Sequence, residues 1–71
     1  MTIEMIPFNP ENVIPKEGKY LVKTESTSHL KTIQFLQARC SIVWNEKKKR
    51  NITSVDVTNQ TVKEISKEVI L

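Results

Sequence analysis

From Leu36 to Trp44 the apolar side chains, Val43 apart, fall on alternate residues. Leu36, Ala38, Cys40, Ile42 and Trp44 share one face; Gln37, Arg39, Ser41 and Val43 share the other. Side chains alternate across a strand but recur every 3.6 residues on a helix, so this run buries a single face only as a strand. Upstream, Ile33 and Phe35 carry the apolar character with the opposite parity. One inserted residue shifts parity in this way, which predicts a β-bulge near Phe35-Leu36. The rival reading is a helix over 29–37, with Leu30, Ile33 and Leu36 on one stripe.

Composition supports the strand. The chain holds eight Ile, seven Val and seven Thr against one Ala and four Leu. β-branched side chains lose rotamer freedom in helices and pack well on a pleated surface. Lys19 to Thr24 reads as a strand with Tyr20, Val22 and Thr24 on one face, entered from a Pro15-Lys16-Glu17-Gly18 turn. Ile52 to Thr58 reads as another, with Val55 and Val57 facing inward. It joins the Leu36–Trp44 strand through a seven-residue loop, Asn45 to Asn51. The tail over 61–70 suits a strand by the shared parity of Ile65, Val69 and Leu71. A helix competes there, through the capping box Thr61-Val62-Lys63-Glu64. Pro7, Pro10 and Pro15 make residues 1–18 an irregular arm, anchored on the sheet by Phe8 and Ile14.

The expected fold is therefore all-β: one small domain over 1–71, an antiparallel sheet of three to five strands. The alternative is α+β with one helix at 29–37 or 61–70. Tyr20, Val22, Phe35, Leu36, Cys40, Ile42, Trp44, Val55 and Val57 form the expected core. At 71 residues the chain buries only about 60% of its unfolded surface, which excludes a two-lobed enzyme or a dinucleotide fold.

Residues Phe8 to Val22, read with Trp44, resemble small phage- and prophage-borne β-rich proteins of unknown function. Pro15, Gly18, Tyr20, Leu21, Val22 and Trp44 carry the likeness: a Pro-x-x-Gly turn feeding a Tyr-Leu-Val strand, then a second strand with an aromatic. The Trp ahead of the turn and the His-Trp pair near the end of that group are missing. The resemblance implies an accessory protein of a mobile element and carries no catalytic residue.

The chemistry is sparse. The one Cys, Cys40, lacks an internal disulfide partner. With the one His, His29, and the one Asp, Asp56, it has no spacing that builds a triad or a four-ligand zinc site. Cys40 is expected to be a small buried hydrophobe. The carboxylates are dispersed, and a single Gly makes no phosphate loop. No cofactor, metal or small-molecule ligand is expected, and no catalysis. The amino terminus lacks the basic and apolar regions of a signal peptide, and no apolar run approaches a membrane span, so a cytoplasmic location is expected.

The net charge of +3 rests on one run, Lys47-Lys48-Lys49-Arg50; the remaining seven basic and eight acidic residues net to −1. Next to Trp44, this run suits weak, non-specific nucleic-acid binding through phosphate contact and base stacking. The preferred reading of the run is a solvated hairpin tip. The leading functional expectation is a small binding or interaction module, engaging a protein partner or a second copy through sheet edges.

Overall fold

A computed structural model describes residues 2–70. Five strands follow in chain order: β1 (Met5–Pro7), β2 (Gly18–Ser26), β3 (Ile33–Asn45), β4 (Arg50–Val55) and β5 (Gln60–Ser66). They form one antiparallel sheet in the order β1-β5-β2-β3-β4. The fold is all-β, and 61–66 is strand. Residues 29–37, the other candidate helix, form a turn and the start of β3.

One face of the sheet is covered. Tyr20, Val22 and Thr24, fully buried, project from β2. Their antiparallel register partners Ala38, Leu36 and Gln34 on β3 point the same way, as does Ile65 on β5 opposite Val22. Ile14 from the arm closes over them. Phe8 and, from the β4–β5 crossover, Val57 pack at the margin.

The arm curls the sheet. The Phe8 N–H donates to the Lys63 carbonyl of β5 (3.0 Å). Two residues on, the Pro10 carbonyl accepts from the Thr53 N–H of β4 (2.9 Å). Two Cα steps reach about 7 Å and the last hydrogen bond adds one strand spacing. In a flat sheet β1 and β4 would lie about 19 Å apart. The two edge strands must therefore bend toward each other, with the arm strapped between them. Thr53 fixes the strap twice, because its Oγ1 also accepts the buried Ile14 N–H (3.1 Å).

Side chains complete the ladder where strands end. Gly18 opens β2 opposite Cys40, and beyond it the Glu17 Oε2 accepts the Ile42 N–H (2.9 Å). Where β5 ends, the Leu21 N–H donates to Ser66 Oγ (3.1 Å), and the Ile70 N–H donates to the Lys19 carbonyl (2.8 Å). Tyr20 ends its reach across the core with its hydroxyl donating to the Lys16 carbonyl (2.7 Å).

Several expectations need correction. Register is unbroken through Phe35 and Leu36. The bulge lies on β5, where Lys63 is the extra residue between Glu64, opposite Lys23, and Val62, opposite Thr24. Ile33 and Phe35 keep strand parity and simply face outward, 54% and 58% exposed. Trp44 has the inward parity but lies beyond the covering arm, and is 58% exposed. Phe35 and Trp44 are thus outside the core. Leu36, Ile42, Val55 and Val57 are its half-buried margin. The hairpin loop is the four residues Glu46 to Lys49, with Lys49 at φ 54°. β4 ends at Val55, so Asp56 to Thr58 belong to the crossover, and the arm contributes a short strand of its own, β1.

Replacing Thr53 with Val deletes the acceptor for a buried N–H while keeping shape. Thr53→Val should lower stability by about 1–3 kcal/mol, the cost of an orphaned buried donor. Thr53→Ser, which keeps the oxygen, should lose clearly less. Urea unfolding of both variants checks this, and equal losses would deny the strap its role.

Candidate functional site

The basic run forms the tip of the β3–β4 hairpin. Asn45 pairs with Arg50, and Asn45 Oδ1 accepts the Lys48 N–H (2.9 Å), an Asx-type closure that tightens the loop. The run is not an uninterrupted field of positive charge. Lys48 Nζ lies 3.0 Å and Arg50 Nη1 3.7 Å from Glu11 Oε1 on the arm. Lys49 Nζ lies 3.5 Å from Glu46 Oε1, and the Trp44 indole N–H donates to Glu46 Oε2 (2.5 Å). The Lys48 hydrogen bond, then its charge and that of Arg50, hold the Glu11 carboxyl below the usual carboxylate range. Two carboxylates thus stand among four cations, and Lys47 alone of the four has no ion-pair partner among the described residues.

Cys40 and His29 are not brought together. Cys40 is fully buried opposite Gly18 and Val55, its thiol near the Ala38 carbonyl (3.8 Å). Burial pushes the thiol pKa up, away from the nucleophilic form. His29 is exposed in the β2–β3 loop, before the start of β3. From Ile33 to Cys40 the strand alone spans about 23 Å at 3.3 Å per residue. Among the described residues no three His, Cys, Asp or Glu side chains gather. A cleft of about 140 Å³ lies between arm and sheet, lined by Phe8, Ile14, Tyr20 and Ile65 among others. That is well below the roughly 300–1,000 Å³ of ordinary ligand pockets. An open groove of about 550 Å³ runs between residues 2–4 and 67–70, crossed by the Lys67–Glu4 pair at 3.9 Å. No helix among the described residues is long and apolar enough to cross a membrane.

The feature that residue patterns missed is a bare edge. β3 is thirteen residues long and has different neighbours along its length. β2 pairs with Ile33 to Cys40, but β4 pairs only with Cys40 to Asn45. Ile33 to Ala38 therefore has a neighbour on one side only. Backbone direction follows from the bonds at its ends. The Thr32 carbonyl accepts from Ser26 beside β2, and the Arg39 carbonyl accepts from Asp56 on the opposite side. Alternate residues of an antiparallel strand point opposite ways, so Ile33, Phe35 and Gln37 aim their N–H and C=O away from β2. None of these six groups has a hydrogen-bond partner among the described residues.

The outermost edges are protected by contrast. β1 is three residues long and ends in Pro7, which has no N–H to offer. β4 is covered at Thr53 by the arm. The stretch Thr32 to Ala38 has no charge, no Pro and no bulge, the usual guards of an edge. Outward from the same stretch stand Ile33 and Phe35, with Leu30, 74% exposed, in the adjoining loop.

No family model, no curated protein and no solved structure matches this chain.

Burial of Cys40 has a direct chemical readout. A disulfide reagent such as Ellman's should leave the folded protein unmodified at pH 8 over minutes and titrate one thiol per chain in denaturant. Immediate reaction of the native protein would place Cys40 outside the core.

Proposed function

We propose that this protein is a small, non-catalytic interaction module that engages a protein partner through the free edge of β3 and the apolar side chains beside it. The observation that carries this reading is the six unpartnered backbone groups of Ile33, Phe35 and Gln37, flanked by exposed Ile33 and Phe35. Main-chain hydrogen bonds to an added strand supply affinity, and outward side chains supply selectivity. The arm and crossover consume the inner face, which leaves the edge as the extended recognition surface. A cytoplasmic setting fits the single, partnerless Cys40. The likeness of Pro15, Gly18, Tyr20, Leu21, Val22 and Trp44 to small phage-borne proteins supports reading the module as an accessory protein of a mobile element.

One observation favours a second reading, weak non-specific nucleic-acid binding at Lys47, Lys48, Lys49 and Arg50. Trp44 is exposed beside them and presents a ring on which a base stacks. Against it, Glu11 and Glu46 already occupy Lys48, Lys49 and Arg50.

Photo-crosslinking separates the two. A benzophenone side chain at Phe35 should give protein adducts in the producing cell. The same group at Lys47 should give no nucleic-acid adduct, and a gel shift at physiological salt should be absent or weaker than about 100 μM. Nucleic-acid adducts at position 47 would reverse the order of the readings. So would micromolar binding with a salt slope of about −0.7 to −0.9 per phosphate contacted. No protein adduct at position 35 would remove the edge reading altogether.

A further inference from the structure

We propose that the partner on the β3 edge is a second copy of this chain, paired antiparallel about a two-fold axis at Phe35. The inference rests on the edge reading above and names its occupant.

Self-complementarity carries it. In an antiparallel pairing centred on Phe35, Phe35 meets the second copy's Phe35, and Ile33 meets the second copy's Gln37. Each of these three residues aims both N–H and C=O outward, so the pairing closes a ladder in which every free group of the edge finds a partner. A symmetric pairing fails when a charge meets its own image, because like charges directly opposite are destabilising. Thr32 to Ala38 contains none. The side chain at the axis is an exposed aromatic, 58% accessible in the single chain, and aromatic cross-strand pairs are among the favourable ones.

Both ends of the ladder stop cleanly. Lys31, at φ 52°, turns the chain out of strand geometry before Ile33. At the other end the Asp56 N–H bonds the Arg39 carbonyl and closes the free side of the edge just past Ala38, so the second copy's Lys31, in register with Arg39, turns away there as its φ directs. The contact uses the same patch on both copies. It closes as a dimer and does not propagate into fibres. It joins the two sheets into one continuous sheet and leaves each covering arm in place.

The test uses the charge at the axis. Wild-type protein at high micromolar concentration should sediment at twice its 8.2 kDa. Phe35→Lys and Phe35→Glu each place like charges face to face, and each should weaken association by at least about tenfold. An equimolar mixture of the two should regain the doubled mass. Phe35 is exposed and lies opposite Lys23 of β2, so Phe35→Glu should keep the wild-type circular dichroism and Phe35→Lys should keep it with a small loss of stability. Should either fail to fold, Gln37→Pro serves instead. Its N–H points away from β2, so the ring removes no bond within the chain and should yield a folded monomer.

A monomeric wild type, a Phe35→Lys protein that still dimerises, or a mixture that stays monomeric would each overturn the two-fold pairing. A monomer that still cross-links foreign protein at position 35 would overturn self-pairing while leaving the interaction-module reading intact.

Discussion

The strap from Phe8 to Ile14 is the constraint on which the rest of the structure depends. A single five-stranded sheet has two faces to manage and no second layer. The arm solves one face only. It is tied to β5 through the Lys63 carbonyl and to β4 through both the backbone and the hydroxyl of Thr53. With so few residues between those ties the sheet must curl, and curling concentrates Tyr20, Val22, Cys40 and Ile65 into a core that Ile14 can cap. Pro10 suits this position. Its carbonyl makes the bond to Thr53, and its missing N–H leaves no donor to satisfy in an exposed crossing.

The same economy explains the surface. The covered face receives the arm and the crossover bearing Val57. The opposite face keeps cross-strand ion pairs such as Lys23–Glu64 at 3.4 Å, together with the exposed Ile33, Phe35 and Val43. β4 is about half the length of β3 and shields only its second half. The open edge is thus a consequence of unequal strand lengths, in a chain that otherwise blunts its edges with Pro7 and the strap.

Much of the fold was legible from local pattern. The face shared by Tyr20, Val22 and Thr24 is buried as alternation requires, and Cys40 sits in the core. The parity change at Ile33 and Phe35 was also visible. It implies a bulge only if every large apolar side chain turns inward, whereas a sheet covered on one face leaves half of its side chains outside. Trp44 fails for a related reason. Alternation specifies a face and says nothing of where along the strand the cover ends. The basic run was visible, but Glu11, which pairs with Lys48 and Arg50, reaches them only through the strap. The edge of β3 had no residue signature because it depends on where β4 stops. Its one trace in the sequence is the uncharged run from Thr32 to Ala38.

Residue-resolved amide hydrogen exchange on dilute, monomeric protein tests this account most directly. Leu36 and Ala38, bonded to β2, should exchange slowly, and Thr53 should be slow despite its place on an outermost strand, because the strap holds it. Ile33, Phe35 and Gln37 should exchange fast, giving an alternating pattern along one strand that fades only as concentration rises. Uniform protection from Ile33 to Ala38 in the dilute monomer would contradict the bare edge, and fast exchange at Thr53 would contradict the strap.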